Sequence, residues 1–142
     1  MSTVVFHTAE GRIVQCITGD DALLALQPTP QGYGRLVCDG APLAYTHYVD
    51  GGKVLAIPPA PEAMMRFEPA QKAWVRDAPL AWWTIRQARN AKLLASDWTD
   101  TVSARTRLGE DAFQAWQHYR QALRDLTLAP DPYTLHWPQA PG

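Results

Sequence analysis

The 142 residues carry 46% hydrophobic and 19% charged side chains and a net charge of −1, a composition that folds rather than one that stays disordered. With no basic surplus to neutralise phosphates, the balance argues against a nucleic-acid partner. No window approaches the roughly 20 apolar residues that a membrane span requires, so no membrane partner is expected.

The first 77 residues read as an antiparallel β module. VVFHT and RIVQCIT flank AEG, two β-branched runs around a short turn that ends in Gly11. DDALLAL is a short helical patch with Asp20 or Asp21 as its cap and Pro28 as its stop. RLVC reads as another strand, closed by Asp39-Gly40. AYTHYVDGGKVLAI repeats the hairpin pattern, with Asp50-Gly51-Gly52 supplying the positive-φ positions of a tight turn. A proline-rich connector, IPPAPEA, leads to MMRFEPAQKAWVR, a third hairpin turning at PAQK.

At Asp77-Ala78-Pro79 the hydrophobic period changes from strand to helix. Asp77 suits an N-cap and Pro79 the first turn, where a missing N–H costs nothing. A helix is expected over about 79–95, with Trp82, Ile85, Arg89 and Leu93 on one line and Trp83, Ala88, Ala91 and Leu94 widening the stripe. Which of Trp82 and Trp83 faces outward is not fixed by the spacing. DTVSARTRLG reads as a polar connection. Glu110 and Asp111 then put negative charge at the positive end of a second helix, about 110–127, whose stripe is Phe113, Trp116, Tyr119, Leu123 and Leu126. The chain finishes in APDPYTLHWPQAPG, proline-rich and expected to be extended. The fold class is therefore α+β: a β-hairpin module over 1–77, then an αα-hairpin with a proline-rich tail over 78–142. A two-helix hairpin cannot cover both of its apolar faces, so it must dock on the β module, on a copy of itself or on another protein.

The chemistry of a reaction centre is hard to find. His7, His47, His118 and His136 have no neighbour at metal-ligand spacing, and no GxSxG, P-loop or GxGxxG occurs. No catalytic residue, metal or cofactor is expected, and the chain reads as a non-enzyme. Cys16 and Cys38 stand singly without a CxxC pair, and read as buried free thiols ahead of a disulfide. The first residues show no charged segment followed by an apolar run, so no leader peptide is expected and the chain is placed in a reducing cytosol. Trp82, Arg86, Arg89, Trp98 and Arg120 would suit a stacking platform, but such platforms accompany a basic groove, and here the aromatics follow helical spacing. Arginines beside an apolar stripe are seldom buried without a carboxylate. Either Asp97 pairs with Arg120 or Arg89 and fixes how the helices meet, or all of these groups stay solvated.

IRQARNAKLLASDWT, then YRQALRDL, then a proline-rich end with WPxxP together resemble the phage tail assembly chaperone proteins of tailed bacteriophages and prophages. The matching positions are Arg89, Asn90, Leu93, Leu94, Ser96, Asp97, Trp98 and Thr99. They continue with Trp116, Tyr119 and Arg120 through Leu126, and end with Trp137, Pro138 and Pro141, so that the resemblance covers about 80–141. Asp100, the linker DTVSARTRLG and Gly109 depart from the family pattern in the loop and the cap. The resemblance implies a non-enzymatic role in tail or tail-fibre assembly, in the bacterial host cytoplasm, with a phage tail, fibre or baseplate protein as partner. The expected docking face comprises Trp82, Trp83, Ile85, Arg89, Leu93, Leu94, Asp97, Trp98, Phe113, Trp116, Tyr119, Arg120, Leu123 and Trp137. A homo-oligomer stays open. So does a subunit retained in the virion tail, at its tip, baseplate or fibre attachment. A third reading is a small glycan-binding module using Trp74, Tyr45 and Tyr48.

Overall fold

The structure, a computed structural model, describes residues 1–142. It has antiparallel strands in its N-terminal part and helices in its C-terminal part, an α+β architecture. The chain divides into two compact units, Met1–Val75 and Arg76–Gly142.

In the first unit, β1 (Ser2–His7) lies between β2 (Ile13–Gly19) and β3 (Gly34–Asp39), antiparallel to both. The β1–β2 turn closes on Gly11, whose φ of 97° favours glycine, and an added Cβ would sit 2.0 Å from the Val49 carbonyl oxygen. The close approach has a use: Val49 N–H donates to the Gly11 carbonyl at 2.8 Å, which joins β4 (His47–Asp50) to the start of β2. β4 pairs with β5 (Lys53–Ala56) through a turn in which Gly51 and Gly52 both have positive φ, 56° and 73°, the pair of conformations that a two-residue hairpin requires.

Strand alternation gives this unit two apolar clusters. Val4 and Phe6 on one face of β1 pack with Leu24 of α1 (Asp21–Ala25). Asp20 caps α1 by accepting from Ala22 N–H at 2.9 Å, and Arg35 of β3 donates to the Leu24 carbonyl at 2.8 Å. On the other face Val5 packs with Ile13 and Val49, flanked by Cys16, Leu36, Cys38 and Val54. Both cysteines are free as expected but only half-buried, because they flank this cluster and do not form its centre; that partial burial raises both thiol pKa values. β6 (Met65–Glu68) and β7 (Ala73–Arg76) form a separate two-stranded ribbon.

The second unit opens with α2 (Ala78–Ala95). Asp77 accepts from Leu80 N–H at 3.0 Å and Pro79 occupies the first turn. A 3₁₀ turn follows over Asp97–Asp100, then α3 (Val102–Leu108) and α4 (Glu110–Asp125). The segment expected as a polar connection thus holds a further helix. Thr101 caps it by accepting from Ala104 N–H at 3.1 Å, and Gly109, at φ 83°, ends it. Short 3₁₀ turns at Leu126–Leu128 and Pro132–Thr134 precede a tail without regular structure. Tyr119, Leu123 and Leu126 form the core, against which Leu93, Trp116, Leu135 and Trp137 pack. No helix is long and apolar enough to cross a membrane.

Candidate docking site

The helical unit is organised around one buried cation. Arg120, in the middle of α4, is 5% exposed. Its Nη1 donates to the Leu93 carbonyl and to Ser96 Oγ, both at 2.7 Å, and its Nη2 meets Asp97 Oδ1 at 2.8 Å and Asp100 Oδ2 at 3.1 Å. A planar guanidinium can serve four acceptors at once because its donors are fixed in a fork. Asp97 pairs with Arg120, whereas Arg89 donates instead to Asn90 Oδ1 at 2.9 Å and to Thr127 Oγ1 at 3.4 Å.

The run Ser96-Asp97-Trp98-Thr99 reads locally as the C-terminal closure of α2. Ser96 is buried; its Oγ and its own backbone N–H both donate back to the Lys92 and Leu93 carbonyls, in the last turn, where a helix runs short of backbone donors. Thr99 is fully buried and donates to the Ser96 carbonyl at 2.7 Å. Trp98 lies edge-on to Trp116 with ring centroids 5.6 Å apart, and Trp116 stands likewise to Tyr119 at 5.7 Å, offsets in the range that favours aromatic pairs. Arg107 stands over the Trp98 ring at 5.8 Å. The carboxylates of the clasp reach the surface, with the Asp97 and Asp100 side chains 58% and 43% exposed.

The expected docking residues therefore fall into two groups. Ile85, Leu93, Trp116, Tyr119, Arg120, Leu123 and Trp137 are committed to the unit's own packing, with Trp82 and Phe113 half-buried. Trp83, at 60% exposure, and Leu94, at 73%, face solvent, with Asp97 and Trp98 also exposed and Arg89 half-buried. Leu80, Trp83, Ala91 and Leu94 fall within about 80° of arc at 100° per residue, on the side of α2 opposite to the buried Ala81 and Ile85. The exposed positions of α2 include Arg86 and Lys92 but no acidic residue. Lys92 stands over the Trp137 ring at 5.7 Å.

Sequence reasoning missed several contacts. Asp100 joins the clasp and also accepts from Gln117 Nε2 at 2.8 Å. Arg105 at the end of α3 grips Glu110 with two donors at 2.9 Å and stacks on Phe113 at 4.9 Å. Hydrogen bonds from Gln114 and Arg105 lower the Glu110 pKa below its ordinary value. Tyr133, in the proline-rich tail, accepts from Asp77 N–H at 2.8 Å, and Arg76 stands over its ring at 4.5 Å. The Asp-Pro pair at 131–132 was the available signal, since it can cap and start a turn; Asp131 does accept from Tyr133 N–H at 2.9 Å.

In the β unit, Trp74 and Tyr48 both pack on Phe67, with centroids 5.7 and 4.9 Å away, and Trp74 Nε1 donates to the Pro58 carbonyl at 2.8 Å. Tyr45 is open, at 77% exposure.

These features define an α+β protein whose C-terminal unit is a helical module clasped by a single buried arginine. Residues 82–142 match the model of the phage tail assembly chaperone protein family, and so the C-terminal part of the chain carries that family's pattern. The match takes in Arg120, all its acceptors and the aromatic ladder, and leaves the β unit outside. No curated protein and no solved structure matches the chain.

Proposed function

We propose that the chain is a non-enzymatic phage tail assembly protein whose helical unit docks another tail protein through the outer side of α2. The observation that carries this reading is the exposure of Trp83 and Leu94, 60% and 73%, on the side of α2 that its own core does not use. A tryptophan and a leucine on one helix face are the anchors of helix-in-groove recognition, and tryptophan is enriched among residues that dominate interface energies. The family match supplies the context, a phage tail under construction. The partner is a tail, fibre or baseplate protein, met in the bacterial host cytoplasm during assembly.

The outer positions of α2 touch no core cluster, so substituting them separates binding from folding. Trp83→Ala and Leu94→Ala should each leave the melting curve within about 0.5 kcal/mol of the parent. Trp83→Ala should weaken capture of the co-expressed tail protein by about thirtyfold, the fold-change for roughly 2 kcal/mol. Unchanged capture by the double variant would remove α2 as the docking element. Mass spectrometry of purified virions then separates two roles. Absence from particles, with a tail-protein complex in producing cells, supports a transient chaperone. A constant copy number in particles makes the chain a retained tail subunit.

A further inference from the structure

The five strands around Val5, Ile13 and Val49 form an open arc. Pairing runs from β3 to β1 to β2, continues to β4 through the Arg12–Tyr48 bridge and the Val49–Gly11 hydrogen bond, and ends at β5. β3 and β5 therefore each have a paired neighbour on one side only. Between them lies an open cavity of about 580 Å³, lined by consecutive residues of both strands, Leu36 to Asp39 and Lys53 to Leu55, together with Gly40 to Pro42, His47 and Gly52. Consecutive lining residues on each side mean that the two backbone edges, and not one face of a sheet, border the space.

We infer that this gap is a binding site for an extended polypeptide segment of a partner, which enters as a strand between β3 and β5 and closes the arc. Two facing edges present N–H and C=O groups from both sides, and a peptide strand is the ligand that offers both kinds of group along both of its own edges. The length agrees: β3 lines the space with four residues and β5 with three, a stretch that a strand segment of about four residues spans.

The side chains say which strand fits. Cys38 and Leu36 stand in register with the buried Thr3 and Val5, and Val54 with Val49. All three are partly buried against the inner cluster, so every second residue of the incoming segment meets an apolar wall. On the other side, Val37 is 56% and Leu55 38% exposed. The ligand is thus a segment of about four residues with apolar side chains at alternate positions and no internal proline. The site is built from residues of the β unit alone, none of them on α2.

The test is selection of a displayed random dodecapeptide library against the full chain, followed by amide exchange and N-methyl scanning of a selected peptide. Enriched peptides should share period-two apolar alternation and slow exchange of amides in both β3 and β5. They should also retard alkylation of Cys38. Because a bridging strand is paired along both edges, N-methylation at each central residue should weaken binding about tenfold. Sensitivity at every second position alone would mean pairing with a single edge and would overturn the proposal. So would protection confined elsewhere, no enrichment, or a dimer in sedimentation whose β3 and β5 amides are already protected without peptide.

Discussion

Arg120 holds its guanidinium between two carboxylates that water reaches and two more sheltered acceptors, the Leu93 carbonyl and the buried Ser96 Oγ. That asymmetry decides what substitutions cost. Asp97 is more than half exposed, so Asp97→Ala alone should cost below about 1 kcal/mol, the range for solvated ion pairs, because Asp100 still neutralises the cation. Removing both carboxylates strands a buried charge, and Asp97→Ala with Asp100→Ala should cost about 3–5 kcal/mol. The double variant is therefore expected to lose more than the sum of the singles, by chemical denaturation of all three variants. Additive losses would mean that the carboxylates act separately and that the clasp is not a unit. The sequence could place an arginine beside the apolar stripe and Asp97 near it. It could not assign the second carboxylate, because Asp100 reaches Arg120 only through the 3₁₀ turn that Ser96 and Thr99 build.

At the next scale, α3 depends on its ends. Its seven residues bury only Ala104, and a helix this short is marginal on propensity. What holds it is the Thr101 cap and the grip of Arg105 on Glu110 across Gly109. The Glu110 pKa is lowered in the folded state by its Gln114 and Arg105 hydrogen bonds. A lowered folded pKa means that the contribution is present above the unfolded value, near 4.5, and is lost as the pH falls through the folded one. Acidification below about pH 4.5 should thus loosen the α3–α4 junction in the parent and change little in Glu110→Gln, with amide exchange of Arg105 to Gly109 as the measurement. Equal exchange in both across that range would show that the ion pair adds nothing. The same weakness explains why α3 was illegible as sequence: one buried residue in seven gives no period. By contrast α2 and α4 were legible from apolar spacing and from Asp77 and Pro79, as were the hairpins from Gly11 and Gly51-Gly52. The exposed side of α2 was only half legible. Spacing showed apolar residues around much of the helix, but packing by α4 and the tail decides which of them are covered.

Across the whole chain the apolar clusters of the two units share no residue: those of Val4, Phe6 and Leu24 and of Val5, Ile13 and Val49 lie in one, that of Tyr119, Leu123 and Leu126 in the other. Separate cores predict separable responses to cavities. Leu123 is fully buried, and Leu123→Ala should cost the helical unit about 2–5 kcal/mol. Val5→Ala, a smaller truncation at a fully buried site, should cost the β unit about 1–3 kcal/mol. Five of the six tryptophans lie in the helical unit, only Trp74 in the other, so denaturant unfolding followed by tryptophan fluorescence reports chiefly on the helices. Leu123→Ala should shift that transition while amide exchange in β1 keeps the parent's protection. Val5→Ala should do the reverse. If each substitution moved both signals equally, the units would unfold as one cooperative body, and binding at the α2 face would stabilise the β unit by the same linkage. If they move separately, the units unfold independently, and a ligand bound to one leaves the stability of the other unchanged.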